Sequence, residues 1–287
     1  MSAYTFTASL GDSSSLWEYF IVNVQPLFGI PQPILDSGNT SWISITGDIG
    51  TVLCERFYFT PFDNVPAAVP SPEPGVTTMV VSIKPNVAEV LTGALDSELI
   101  ALFEQVRPGD MWTCWHEGET KVDTPTDLVA VLTHCYELFK EYAPHSATFG
   151  QICASYTASG FSSHGPLGQW VCCPFNGGAE LDWFGIDAYP VNANYTFMET
   201  IGPVVTEVEA IMGYTPAWAL TECNVVASVG VAYTDAQQLQ YFQDAWAWAI
   251  DNTALTFIPY FGNEPDVWPP YPDVVELLAT LNASVLT

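Results

Sequence analysis

Thr78-Met79-Val80-Val81-Ser82-Ile83-Lys84-Pro85, an apolar-periodic run over Val87–Phe103, and then Met111-Trp112-Thr113-Cys114-Trp115-His116-Glu117 together read as strand, helix, strand. Both strands are near-continuous apolar runs, the pattern of strands covered on both faces, and each ends abruptly in charged residues or proline. Two such strands with a helix between them make a parallel βαβ unit.

The unit recurs along the chain. Further strand-like runs are Tyr4–Ala8, Val52–Phe59, Thr148–Ser155, Leu181–Ala188, Ala217–Thr221 and Leu255–Phe261, which brings the total to eight. From the second strand on, their C-terminal ends fall near 59, 83, 115, 155, 188, 221 and 261, at intervals of 24, 32, 40, 33, 33 and 40 residues. A βα unit needs roughly 30 residues, so the period predicts an α/β fold, a (β/α)8 TIM barrel, with residues 1–287 as one catalytic domain. The first interval is longer, near 50, and Gln32–Gly50 reads as an inserted loop or hairpin.

Helical signals fill the gaps at Ser13–Val24, after the cap Thr124-Pro125-Thr126-Asp127, after the capping box Thr234-Asp235-Ala236-Gln237, and from about Pro272-Asp273. Pro66–Pro74 is a proline-rich loop where a crossover helix would be short or missing. An open doubly wound sheet is the alternative, but no Gly-rich phosphate loop follows the first strand.

Only five basic residues, Arg56, Lys84, Arg107, Lys121 and Lys140, stand against 32 acids, a formal charge of -27. Such a surface repels phosphate backbones and anionic lipid, so neither nucleic acid nor membrane is expected as a partner. Neutral or cationic substrates are favoured, unless the acidity serves solubility alone. The seven cysteines lack the spacing of a disulfide framework or zinc site and read mostly as buried thiols, with one or two bridges left open. No clustered His ligands or H-E-x-x-H occur, so no metal and no cofactor is expected, and the chain is taken as a monomer. The N-terminus shows no signal peptide; localisation is left open, with extracellular or virion-associated action compatible.

A (β/α)8 barrel places its chemistry at the C-terminal ends of the strands. Those ends carry Arg56, Lys84, Trp115-His116-Glu117-Gly118-Glu119, Asp187-Ala188-Tyr189-Pro190, Thr221-Glu222, and Tyr260 with Asn263 and Glu264. Glu117 and Glu222 lie 105 residues apart, three βα periods, each directly after an apolar strand. Two carboxyl groups about 5–5.5 Å apart can cleave a glycosidic bond by double displacement, one as acid/base and one as nucleophile. Mutual repulsion is expected to raise one of the two pKa values.

Trp115-His116-Glu117 resembles the strand-four acid/base motif of glycoside hydrolase family 26, the β-mannanases and related endo-glycanases of clan A. Thr221-Glu222 is similar to that family's strand-seven nucleophile. Val81-Ser82-Ile83-Lys84-Pro85 and Leu181-Asp182-Trp183-Phe184-Gly185-Ile186-Asp187-Ala188-Tyr189 look like strands three and six of its actinobacterial and phage-borne relatives. The resemblance covers nearly the whole chain in order and spacing. It implies a retaining glycosidase acting on a β-linked, neutral polysaccharide or oligosaccharide, with Glu117 as acid/base, Glu222 as nucleophile and Tyr189 orienting Glu222, or else packing under a loop where Pro190 begins a turn. Gly118-Glu119-Thr120 departs from the Met-Asn-Gly common after the acid/base in mannanases, which puts mannan specificity in question.

Around the two glutamates, Arg56 is expected to hold Glu222 ionised or else to fill the barrel bottom, and Lys84 to reach a substrate hydroxyl or carboxylate or else to be exposed. Glu119 could bind a hydroxyl pair or a cation, or be an idle loop acid. Asp187 would sit lower in a buried network. His116 is the histidine placed to contact substrate or modulate Glu117; His134 and His145 read as structural or exposed, and His164 could line the cleft. Trp115, Trp183, Tyr260 and Trp268 are candidate sugar-stacking platforms, whereas Trp246 and Trp248 read as core. A different class of function remains, a barrel that binds a glycan without cutting it, in a phage or cell-surface assembly.

Overall fold

In the computed structural model, eight parallel strands close on themselves in chain order: β1 Leu27–Pro31, β2 Cys54–Tyr58, β3 Thr78–Ile83, β4 Met111–Cys114, β5 Thr148–Ala154, β6 Trp183–Ala188, β7 Trp218–Cys223 and β8 Thr256–Pro259. The structure describes residues 27–31, 53–59, 64–72, 74–158, 165–191, 195–223, 225, 233–259, 276–277 and 279–281. β8 returns to β1 through Leu27 against Thr256 and Phe28 against Phe257, which completes the cylinder. Strand ends at 31, 58, 83, 114, 154, 188, 223 and 259 give intervals of 27, 25, 31, 40, 34, 35 and 36 residues, so the period holds all the way round.

The first strand is a correction. Tyr4–Ala8 and Ser13–Val24 lie outside the described residues, and Leu27-Phe28-Gly29-Ile30-Pro31 fills the first place in the barrel. Proline on both sides and a central glycine demote this run as a strand by local preference. It is parallel pairing to β2, with Ile30 against Glu55 and Pro31 against Arg56, that holds it in the sheet. Gln32–Gly50 then belongs to the β1–β2 crossover and lies outside the described residues.

The helices are α1 Val87–Leu91, α2 Asp96–Phe103, α3 Pro125–Tyr142, α4 Phe197–Met212 and α5 Asp235–Asp251. The single helix expected over Val87–Phe103 is broken, because Gly93 takes a positive φ of 72° that ends α1 before α2 starts. Thr124 and Thr234 cap α3 and α5 as their sequences indicate, each accepting from a backbone N–H three residues on. The stretch between β2 and β3 is irregular at 64–72 and 74–77, in keeping with its prolines. Trp246 and Trp248 pack inward, on Phe257 and Trp218. No helix among the described residues is long and apolar enough to cross a membrane.

Period-two alternation sorts the barrel interior into levels. The floor is apolar and draws one residue from each of β2 to β8: Cys54, Val80, Met111, Ile152, Trp183, Ala219 and Ile258. Two residues further along come Arg56, Ser82, Thr113 and Thr221, buried and polar, beside the small residues Ala154 and Gly185. Above them are Tyr58, Lys84 and Asp187. The floor is apolar and the upper levels collect polar groups, so polar side chains gather at the C-terminal end.

Trp183 is therefore corrected. It opens β6 rather than ending it, lies in the floor at 1% exposure, and covers Gly150, where a Cβ would stand 2.2 Å from its ring. It is core and is withdrawn as a sugar platform. All seven cysteines are buried free thiols, without bridges. Two of the five cations brace the opposite end, Arg107 on Asp110 at 2.7 Å and Lys140 on Asp182 at 3.1 Å, each acid immediately preceding a strand.

Candidate active site

Glu117 is placed by a sharp turn at the end of β4. Trp115 and Glu117 both take left-handed φ values, 56° and 51°, which cost non-glycine residues about 1–3 kcal/mol each and persist only where the surroundings impose them. Those surroundings are specific. The Trp115 N–H donates to Ile83 O at 2.8 Å and its indole to Pro85 O at 2.9 Å, while the Glu117 N–H donates to Ile152 O at 2.8 Å. Thr120 then closes the turn by donating its hydroxyl to Glu117 O at 2.9 Å. Gly118 lies so close to α3 that a Cβ would stand 2.4 Å from Leu128.

Two expectations about this turn change. Trp115 is buried with its polar edge committed to Pro85, a prop under the turn rather than an open platform. Glu119 is buried too; one oxygen accepts from the Ala154 N–H at 2.6 Å and fastens the turn to β5, and the other has no partner among the described residues. Neither an idle loop acid nor a ligand open to hydroxyls or cations fits that placement. No group of three or more metal-ligating side chains occurs among the described residues. Tyr260, Trp268, His164, Asn263 and Glu264 lie outside the described residues.

Glu222 is aimed by an irregularity. Strict alternation would send Thr221 and Glu222 to opposite faces of β7, yet the register between β6 and β7 slips here, Ile186 pairing with Leu220 and Asp187 with Glu222. A bulge of this kind re-aims a side chain. Thr221 donates its hydroxyl to Asp187 Oδ1 at 2.6 Å inside the barrel, and Glu222 also turns inward, with Arg56 Nε 3.9 Å from one oxygen and the Tyr189 hydroxyl donating to the other. Tyr189 is tied to β5 through Ser155, whose hydroxyl accepts from the Tyr189 N–H at 2.9 Å and donates to its carbonyl at 3.0 Å.

Arg56 occupies the centre of this field. It is fully buried, donates to Ser82 Oγ at 2.6 Å, and lies with its guanidinium carbon 4.5 Å from the centre of the Tyr58 ring. Its charge acts on Glu117, Glu222, Asp187, His116 and Lys84 alike. Arg56 thus stands above the apolar floor, toward the C-terminal end, and not at the barrel bottom.

Burial dominates the proton affinities. It lifts Glu222 to about 7 against the pull of Arg56, Asp187 to about 7, and Glu119 to about 8. It also raises Glu117, opposed by Lys84, Lys121 and Arg56. The expected mutual repulsion of Glu117 and Glu222 is not the cause of either rise; removal of both carboxyls from water is. Burial likewise pushes Lys84 down to about 8, although Glu117 favours its charged form. Lys84 is buried at 4% exposure, not an exposed lysine. His116 is held well below the usual imidazole range by burial and by the cations Arg56, Lys84 and Lys121, which keeps its ring neutral at pH 7.

Of the other histidines, His134 binds Asp96 at 2.7 Å between α2 and α3, and His145 is exposed. Two residues at this end were missed by the sequence reading, Tyr58 and Ser155, and Thr221 was named at its strand end without a role. Tyr58 carried a signal, since it lies two residues after Arg56 in the same strand and shares its face.

No protein-family model matches the chain, and no curated protein matches it. Solved structures do match, across most of the chain. One is a glucosidase from Croceicoccus marinus, with TM-score 0.58, 11% identity, and 93% of this chain and 69% of that chain covered. Another is a GH128 endo-β-1,3-glucanase from Amycolatopsis mediterranei, with TM-score 0.53, 13% identity and coverage of 91% and 100%. A GH26 β-mannanase from Bacteroides ovatus follows at TM-score 0.52, 11% identity and coverage of 91% and 89%. At these identities the likeness is one of fold.

Proposed function

We propose that the protein is a retaining glycoside hydrolase, with Glu222 as nucleophile and Glu117 as acid/base. The observation that carries this reading is that two carboxyl groups, the half-buried Glu117 after β4 and the buried Glu222 in β7, lie in the field of one buried guanidinium, Arg56. Arg56 and the donating Tyr189 hydroxyl favour the ionised form of Glu222 and oppose the rise to about 7 that burial imposes, and the carboxylate so favoured is the form that attacks an anomeric carbon. Burial raises the proton affinity of Glu117, the direction that suits a group that protonates a leaving oxygen.

In the first step a Glu222 oxygen bonds to the anomeric carbon as the glycosidic bond breaks, and Glu117 passes its proton to the departing oxygen. In the second, water attacks the same carbon, Glu117 takes the water's proton, and Glu222 leaves as a carboxylate. No step calls for a cofactor. A β-linked glucan or mannan is the substrate class to try first. The similar glucanase was solved with laminaritriose, and a similar β-mannanase from a termite symbiont with a gluco-manno-oligosaccharide.

The test is hydrolysis of β-1,3-glucan, mannan and aryl β-glycosides by wild type, Glu222→Gln and Glu117→Gln. Glu222→Gln is expected to abolish turnover. Glu117→Gln is expected to lose about 10²- to 10⁴-fold on polysaccharide, and far less on a dinitrophenyl glycoside whose leaving group needs no proton. A 2-fluoro glycoside adduct located by mass spectrometry should fall on Glu222. Unchanged turnover by Glu222→Gln, or an adduct elsewhere, overturns the assignment. Binding by a wild type that never turns over would leave a glycan-binding barrel.

A further inference from the structure

Resting on the reading of the barrel mouth as a sugar site, we infer that Tyr58 and His116 together form a hydroxyl-recognition edge, hydrogen-bonding one hydroxyl of the sugar that Glu117 and Glu222 act upon. Tyr58 closes β2, and its ring lies between two partners. The Arg56 guanidinium stands 4.5 Å from its centre, and the His116 ring meets it at 65° with 5.1 Å between centroids. The ring is therefore fixed in place, and its hydroxyl is fixed with it.

The polar atoms at this edge are buried yet unused. The Tyr58 hydroxyl, His116 Nδ1 and Arg56 Nη2 have no hydrogen-bond partner among the described residues. Buried polar groups in folded proteins are almost always paired, so orphans on side chains that touch one another, one of them next to Glu117 in the chain, mark a place that a ligand completes.

The chemistry of the pair narrows the ligand. A phenol both donates and accepts, and a neutral imidazole nitrogen does one or the other according to tautomer. His116 is kept neutral by the cations around it. A sugar hydroxyl, itself donor and acceptor, can donate to one partner and accept from the other. An ammonium would meet Arg56, and a neutral hydroxyl is the group that the sugar reading of the barrel mouth supplies.

Tyr58→Phe removes only the hydroxyl and keeps the ring between Arg56 and His116. The probes are the aryl β-glucoside and β-mannoside together with their 2-, 3-, 4- and 6-deoxy analogues. For the parent glycoside, Tyr58→Phe is expected to lower kcat/KM about 10- to 100-fold, the effect of leaving one buried donor or acceptor unpaired. For one deoxy analogue wild type and variant should be equal within about twofold, because the partner hydroxyl is already gone; that equality also shows that the variant is folded. An equal loss on every analogue, or no loss on the parent, overturns the inference. Should wild type hydrolyse neither these glycosides nor β-1,3-glucan or mannan, the hydrolase reading fails by itself, and calorimetric binding of the same glycosides decides the edge. Selective weakening in Tyr58→Phe keeps the edge, whereas unchanged or absent binding overturns it.

Discussion

Glu119→Gln isolates what burial does to the carboxyl that fastens the acid/base turn. Burial raises Glu119 from its ordinary 4.5 to about 8, so the folded protein retains a proton that the unfolded chain gives up. With the folded pKa the higher of the two, the stability due to this proton is complete below 4.5 and is lost as pH climbs through about 8. Each pH unit inside that window costs about 1.4 kcal/mol, and going from pH 5 to pH 7 costs about 2.5 kcal/mol. Gln keeps the carbonyl that accepts from Ala154 N–H, at 2.6 Å in the wild type, and has no charge to bury. Its amide group occupies the position of the unpartnered oxygen, at a pH-independent cost of about 1–3 kcal/mol. The measurable quantity is therefore the difference between the two proteins as pH changes. Relative to wild type, the variant should gain about 2.5 kcal/mol between pH 5 and pH 7, or roughly 5 °C in Tm for a chain of this size. Thermal unfolding of both proteins in parallel buffers from pH 5 to pH 8 reads it. A difference flat to within about 1 °C over that range would mean that Glu119 ionises as an ordinary glutamate, and the buried placement of the turn would be refuted.

Tyr189→Phe removes a donor that favours the ionised form of Glu222, whose pKa burial already lifts to about 7. The ascending limb of the kcat/KM profile should move up by about one pH unit, and a limb that stays in place would separate Tyr189 from the nucleophile. Gly150→Ala adds a Cβ 2.2 Å from the Trp183 ring and 2.5 Å from its carbonyl oxygen, where backbone cannot yield. It should cost about 3 kcal/mol or more by chemical unfolding, and a loss under about 1 kcal/mol would show that the barrel floor is looser than described.

Much of the architecture was open to a reader of the sequence because its causes are local or periodic. β2 to β8 are short apolar runs at βα spacing, Thr124 and Thr234 announce their helices, and Glu117 and Glu222 each follow such a run. α4 was missed although Thr196-Phe197-Met198-Glu199 forms a capping box, for Pro203 interrupts the helical signal behind it. β1 was missed since Leu27–Pro31 is a strand only by virtue of its neighbours.

What sequence alone determined is the repeat and the strand that carries each charged group, because hydrophobic period and capping act over a few residues. Tertiary structure alone decided where each of those groups points. The bulge that turns Glu222 inward, the left-handed turn beneath Glu117, the descent of Trp183 to the floor and the meeting of Tyr58 with His116 all depend on register between strands distant in the chain. A one-residue slip in register reverses the face a side chain presents, and no local preference in Thr221-Glu222 or Trp183 reveals it.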